Sequence, residues 1–159
     1  MLNVLIRKAE KRDAGTFLGM VRALAAYEGF EAHVHTSEEI LSRDGFGDHP
    51  MFGVFLAEVA GKAIGFVSYT NNYSIWYASK YINVDDVYVD ESARGAGVGK
   101  LLMKAVAREC RENGCAFVRW TVESHNAAAI GFYQGIGAAV RQKGVCSWMP
   151  DEMNAFLTI

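Results

Sequence analysis

The sequence predicts a mixed α/β (α+β) domain with a mostly antiparallel sheet and helices on both faces. The predicted order of elements, β-α-α-β-β-β-α-β-α-β-β, has more strands than helices, and tight turns join the early strands. Strands joined by tight turns pair antiparallel, which argues against a doubly wound parallel sheet. The 159 residues, 51% of them apolar, show no repeat or linker and predict one domain, residues 1–159.

The elements of the first half follow from hydrophobic spacing and turn residues. VLIRKA alternates as a short strand does. Apolar residues at helical spacing predict a helix that Asp13 caps and that ends near Gly29, and Ser37 is expected to cap a second, short helix. MFGVFLAEVA and KAIGFVSYT are separated by little more than Gly61, which predicts a hairpin.

The second half alternates strands and helices. KYINVDDVYV, residues 80–89, predicts a strand, and an amphipathic helix is expected from Val98 to Asn113-Gly114. AFVRWTV predicts a further strand and residues 126–136 a helix. The stretch GAAVRQKGVCSWM is expected to form a terminal hairpin.

Composition excludes several classes of protein. The net charge of −2 argues against nucleic acid or an anionic membrane as a partner. The longest apolar stretches are too short to span a bilayer, and the first residues lack a signal-peptide pattern. Three scattered cysteines and four histidines show no ligand spacing, so no metal site is expected. We expect a soluble, cytoplasmic protein.

The most informative motif is Arg94-Gly95-Ala96-Gly97-Val98-Gly99, between a predicted strand and the amphipathic helix. Glycines at alternate positions let the backbone approach a bulky anion at a helix N-terminus, where the macrodipole favours negative charge. The spacing differs from that of a nucleotide P-loop and from the dinucleotide fingerprint. A glycine-rich turn without a ligand is the alternative, but the strand, the helix and Arg94 together favour pyrophosphate binding.

The loop and a second motif, SHNAAAIGFYQGIGA, both resemble motifs of the GNAT family of N-acetyltransferases. The segments LAAYEGFE, DGFGDHP and FYQGIGA resemble its diamine (spermidine/spermine) and thialysine acetyltransferase branch. The resemblance implies the GNAT fold, with a six- to seven-stranded sheet and central splayed strands. It also implies acetyl-CoA as co-substrate, a small-molecule amine as acceptor, no metal, and a homodimer.

The resemblance further implies the residues that hold acetyl-CoA. The loop from Arg94 to Lys100 would bind the pyrophosphate, and Asn126 would contact the pantetheine arm. The backbone of a splayed strand would hold the pantetheine amide and the thioester carbonyl. These cofactor-binding positions are Val87, Tyr88, Val89, Arg94, Gly95, Ala96, Gly97, Val98, Gly99, Lys100 and Asn126.

Tyr133 and Asp85 are the expected catalytic residues. Tyr133 belongs to the FY pair and would protonate the departing CoA thiolate, although a core tyrosine is the alternative. Asp85 occupies the position of an acidic residue that binds the amine and takes its proton. The branch usually has glutamate there, so the shorter aspartate would act through water. Tyr27 and Glu28 match a YE pair that lines the amine site.

Asp86 is interpreted as an edge-of-sheet or loop-anchoring carboxylate. Because it neighbours Asp85 on a strand, the two side chains are expected on opposite faces. The terminal stretch departs from the branch, with Gln142-Lys143-Gly144 where a glutamate pair is usual. The acceptor is therefore expected to be smaller than spermidine or to carry a carboxylate. A peptide amine as acceptor, or a non-catalytic acyl-CoA-binding module, remains an alternative.

Overall fold

Five strands form one sheet within the first 121 residues. In spatial and chain order they are β1 (Leu5–Lys8), β2 (Gly53–Val59), β3 (Lys62–Ser74), β4 (Ser79–Val89) and β5 (Val118–Arg119). Neighbours pair antiparallel except β4 and β5, which pair in parallel. The mixed, mostly antiparallel sheet is confirmed, but it has five strands among the described residues where six to seven were expected.

The computed structural model describes residues 3–158 and divides the chain into two compact units. The first ends at Thr121 and the second begins at Val122. The single domain over residues 1–159 stays a prediction, and the two units are described separately.

The hairpin between β2 and β3 is confirmed. Its two loop residues, Ala60 and Gly61, have φ values of 49° and 78°. Two consecutive residues in the left-handed region are typical of a type I′ turn, whose twist matches that of the strands it joins.

Two helices cover one face of the sheet: α1 (Ala14–Glu28) and α2 (Glu38–Phe46). Phe17 of α1 packs edge-on against Phe66 of β3, with the ring centroids 4.9 Å apart. Around this pair lies a buried cluster that also contains Leu18, Leu41 and Leu56. α1 ends at Gly29 as predicted, where the glycine adopts the left-handed conformation with φ 75°.

The two predicted helix caps had different outcomes. Ser37 caps α2, because its Oγ accepts a hydrogen bond from the Ile40 N–H at 3.2 Å. Asp13 precedes α1 but makes no side-chain cap, so that prediction is wrong. Both carboxylate oxygens of Asp13 instead accept hydrogen bonds from the Arg7 guanidinium, at 2.7 and 2.8 Å. These two charge-assisted bonds form a bidentate ion pair, which is among the strongest hydrogen-bonded arrangements of side chains.

The opposite face of the sheet is covered by α3 (Val98–Glu112). Phe55 of β2 lies between two residues whose side chains belong to the α1 cluster, so its own ring points to the other face. That ring stacks on Tyr69, whose hydroxyl is hydrogen-bonded to Glu109 of α3. Helices on both faces of the sheet are therefore confirmed.

The second unit contains α4 (Ala127–Gly135) and α5 (Pro150–Leu157). The predicted hairpin over residues 137–149 is wrong, because none of these residues is in a strand. A strand needs a hydrogen-bonded neighbour, and no segment among residues 3–158 pairs with this stretch. The segment instead leads to Pro150, which opens α5, and the Trp148 ring packs 5.0 Å from that of Phe156. None of the helices within residues 3–158 combines the length and the apolar composition that a membrane span requires.

Replacing Gly65 by alanine is expected to destabilise the fold. A Cβ there would lie 2.6 Å from the Tyr88 carbonyl oxygen, a backbone atom that cannot move without shifting the strand. Overpacking of this kind costs about 2 kcal/mol in the free energy of unfolding, which urea denaturation measures. Gly19→Ala, in α1 with open space around the new methyl group, is the control and should stabilise by about 0.5–1 kcal/mol. Equal effects of the two variants would contradict this packing.

Candidate active site

A β-bulge in β4 shapes the centre of the site. Ser68 of β3 pairs with Asp86, and the next residue, Tyr69, pairs with Val84. Asp85 is therefore the extra residue of the bulge and has no partner on β3. A bulge re-aims side chains and bends its strand, and such irregularities are frequent beside active sites.

The bulge places the carboxylates of Asp85 and Asp86 on the same face of the sheet. Ser68 Oγ donates a long hydrogen bond of 3.4 Å to Asp86 Oδ2. Asn83 pairs with Thr70, two residues beyond Ser68, and so shares its face. Asn83 Nδ2 donates to Asp85 Oδ1 at 2.8 Å. The prediction of opposite faces is wrong, because it assumed a regular strand.

Burial against the sheet raises the pKa of both carboxylates. For Asp85 this desolvation is the main cause, the hydrogen bond from Asn83 opposes it, and the charge of Asp86 adds to it. For Asp86 desolvation again dominates and the hydrogen bond from Ser68 opposes it. Both residues are nonetheless exposed, so solvent reaches the carboxylates and their desolvation is partial. Each is a stronger base than an ordinary aspartate.

Beyond the bulge, β4 has one unpaired edge. Strand β5 pairs with β4 only at Ile82 and Asn83. From residue 84 to 89 no strand among residues 3–158 lies on that side, while the opposite edge stays paired with β3. The backbone groups on this edge can therefore bind a ligand. The residues predicted to do so, Val87, Tyr88 and Val89, all lie in this stretch.

The loop from Arg94 to Gly97 leads directly into α3. Gly95 and Gly97 have φ values of 77° and 81°, which disfavour residues with a Cβ. The first helical hydrogen bond runs from the Leu101 N–H to the Gly97 carbonyl. Before it, several N–H groups find no acceptor among residues 3–158, namely those of Gly97, Val98, Gly99 and Lys100. These donors at the positive end of α3 fit an anion such as a pyrophosphate.

Arg94 joins this loop to the end of α1. Its Nε donates a hydrogen bond of 3.1 Å to the Val89 carbonyl, and its Cζ lies 4.7 Å from the centroid of the Tyr27 ring. The structure thus brings together one residue predicted to bind the co-substrate and one predicted to line the amine site. Glu28 follows Tyr27 as the last residue of α1.

In the second unit, Asn126 and Tyr133 belong to α4. Asn126 is its N-cap, with Oδ1 accepting a hydrogen bond of 3.0 Å from the Ala129 N–H. Its Nδ2 is left as a donor for other partners. Tyr133 is half-buried, and burial raises the pKa of its phenol, so the hydroxyl is protonated at neutral pH.

Sequence reasoning missed the partners of these groups. Neither Ser68 nor Asn83 was singled out as a partner of a carboxylate, and the stacking of Arg94 on Tyr27 was not expected. The contacts of Ser68 with Asp86 and of Tyr27 with Arg94 join residues far apart in the chain, which no local pattern signals. Asn83 lies two residues before Asp85, and the period of a strand places the two on one face. Over residues 3–158, no three histidine, cysteine or acidic side chains gather as metal ligands.

Residues 19–138 match the model of the acetyltransferase (GNAT) family. The chain belongs to this family. The thialysine N-epsilon-acetyltransferase of Sus scrofa is 36% identical over 146 residues, which cover 87% of this chain and 85% of that protein. The human spermidine/spermine N(1)-acetyltransferase-like protein 1 is 32% identical over 84% of this chain but only 20% of its own length.

A solved structure agrees with the fold of the GNAT chain. An integron cassette protein from the mobile metagenome of V. cholerae superposes with a TM-score of 0.81 and 29% identity, covering 100% of both chains. The resemblance to the GNAT family and to its diamine and thialysine branch is confirmed, as is the prediction of an N-acetyltransferase.

The raised pKa of Asp86 predicts a pH-dependent stability. Because the folded pKa lies above the unfolded value, the folded state holds more protons between them, and the free energy of unfolding falls as pH rises through this range, above about 4. Asp86→Asn should remove part of this fall. Thermal unfolding at a series of pH values measures it.

Ser68→Ala is the control of opposite sign, because it deletes the hydrogen bond that favours the charged form of Asp86. This variant should steepen the loss of stability with pH. Identical pH dependence in the wild type and Asp86→Asn would contradict the assigned environment.

Proposed function

We propose that this GNAT chain transfers an acetyl group from acetyl-CoA to a primary amine of a small molecule, diamine- or thialysine-like, by direct attack in a ternary complex. The observation that carries the proposal is the loop of unpaired N–H groups at the start of α3. It follows an open strand edge and a bulge with two carboxylates. The relatives named for thialysine and spermidine/spermine support the class of acceptor.

The loop fits the pyrophosphate of acetyl-CoA, which when bound supplies a thioester open to attack by an amine. The N–H groups of residues 97–100 would bind its oxygens, with Arg94 and Lys100 adding positive charge. A Cβ placed on Gly95 or Gly97 would meet nothing within 4 Å, so the surface above the loop is open. The free edge at Val87–Val89 would hold the pantetheine amide and donate an N–H to the developing oxyanion. Asn126 would donate from Nδ2 to the same arm.

Asp85 would act as the base that removes a proton from the amine. A primary amine with a pKa near 10.4 is neutral in only roughly one molecule in 2,500 at pH 7, so a proton must leave before attack. Asp85 would take it through water, and the raised pKa of its carboxyl suits a base. Asp86 adds a second negative charge on the same face, which favours a cationic acceptor. Tyr27 and Glu28 would line the amine site from the end of α1.

Tyr133 would act as the general acid. Its phenol is protonated at neutral pH because burial raises its pKa, so it can give a proton to the departing thiolate. We further propose a homodimer and a cytoplasmic location.

The proposal predicts release of CoA thiol with small amines. The panel would contain spermidine, spermine, putrescine, thialysine, lysine, an aminoglycoside and a short peptide, with thiol formation followed spectrophotometrically. Turnover is expected with thialysine or a diamine and not with the peptide. Turnover of the peptide alone would shift the acceptor to a protein amine, and acetyl-CoA binding without any turnover would favour a binding module.

Tyr133→Phe is expected to lower kcat by about 100-fold, the lower range for loss of a general acid. The Kd for acetyl-CoA, measured by calorimetry, should stay within twofold because the ring is kept. Tyr73→Phe removes a hydroxyl from an exposed tyrosine of β3 and serves as the matched control with unchanged kcat. Equal kcat for Tyr133→Phe and the wild type would contradict the assignment of Tyr133 as the general acid.

A further inference from the structure

We propose that Tyr27 is a positioning residue for Arg94. Its ring holds the guanidinium in the orientation that binds the co-substrate's pyrophosphate, so that α1 acts on both substrate sites. The inference rests on the proposed function for the identity of the anion. It goes beyond that function in giving Tyr27 a role in binding acetyl-CoA.

Two contacts fix the Arg94 side chain before any ligand binds. The Tyr27 ring covers one face of the guanidinium, with 4.7 Å between Cζ and the ring centroid. The Nε edge is taken by the Val89 carbonyl oxygen at 3.1 Å. Within the described part of the chain, the terminal Nη1 and Nη2 atoms donate to no acceptor at hydrogen-bond distance.

The free edge of the guanidinium is the one that phosphate needs. Arginine binds phosphate through parallel N–H groups of its planar fork, while its face stacks on aromatic rings. The contact with Tyr27 therefore does not compete with the anion and can persist when it binds. A long side chain that is already ordered loses less conformational entropy on binding, so the stacked arginine binds more tightly than a freely moving one.

The position of Tyr27 favours this role over one in the core. Its side chain is 69% exposed, so it contributes little apolar burial to the fold. It lies in the last turn of α1, at the negative end of the helix dipole, which adds attraction for a cation. Arg94 opens the glycine loop, whose unpaired N–H groups begin three residues later.

The test is calorimetric measurement of the Kd for CoA in five proteins: wild type, Tyr27→Phe, Tyr27→Leu, Arg94→Ala and Tyr27→Leu/Arg94→Ala. Tyr27→Leu should weaken CoA binding by about two- to fivefold, the size of an exposed cation–π contact. Tyr27→Phe keeps the ring face and should bind within the error of the wild type. In the Arg94→Ala background, Tyr27→Leu should weaken binding no further.

Salt dependence gives a readout that a purely structural role of Tyr27 would not change. Salt screens exposed charge pairs, so added salt should raise the Kd for CoA less in Arg94→Ala, which lacks a phosphate contact, than in the wild type, with Tyr27→Leu in between. Thermal unfolding of each variant, with an unchanged Tm, shows that the fold is intact.

The possible failures are distinct. If wild type binds CoA and Tyr27→Leu binds it equally well, with an effect only on the KM of the amine, the positioning role is wrong and the proposed function stands. The positioning role is also wrong, and the proposed function still stands, if Tyr27→Phe binds CoA as weakly as Tyr27→Leu does. If the wild type does not bind CoA, the proposed function fails and the inference fails with it.

Discussion

Strand β4 loses its neighbour β5 after two residue pairs, and the backbone groups of the next six residues are left without a strand partner on that side. Unpaired N–H and C=O groups at a sheet edge need water or another chain as a partner. The other features of the first unit are arranged along this edge. The bulge at Asp85 lies just beyond the last residue of β4 that pairs with β5. The loop of unpaired N–H groups follows the end of β4. The open edge can pair with the amide groups of an extended ligand, and the loop can bind an anionic group at its end.

Opposite charges lie at the bulge of β4 and at the loop that follows this strand. At the bulge, the two carboxylates share one face and have a raised pKa because protein desolvates them. At the loop, backbone donors and Arg94 provide positive potential. A cation is therefore attracted to one end and an anion to the other. Arg94 contacts both the last residue of β4 and the last turn of α1, and so joins the loop end of the strand to that helix.

Local sequence patterns correctly predict the elements that depend on neighbouring residues. The Ser37 cap, the end of α1 at Gly29 and the turn at Ala60-Gly61 each depend on a few neighbouring residues, and each is as expected. The features that sequence missed are long-range. The bulge depends on the register between β3 and β4, and Asp13 is recruited by Arg7 rather than by its helix. The terminal stretch has strand-like residues but no partner strand, which no local pattern reveals.

If the open edge of β4 and the start of α3 together bind acetyl-CoA, amide hydrogen–deuterium exchange with and without saturating CoA will show it. We expect CoA to slow exchange of the N–H groups of residues 97–100 and of those N–H groups of residues 84–89 that point away from β3, and to leave exchange in the hairpin of β2 and β3 unchanged. Unchanged exchange in both segments while calorimetry shows CoA bound would mean that the ligand lies elsewhere on the protein, and would contradict binding at this edge.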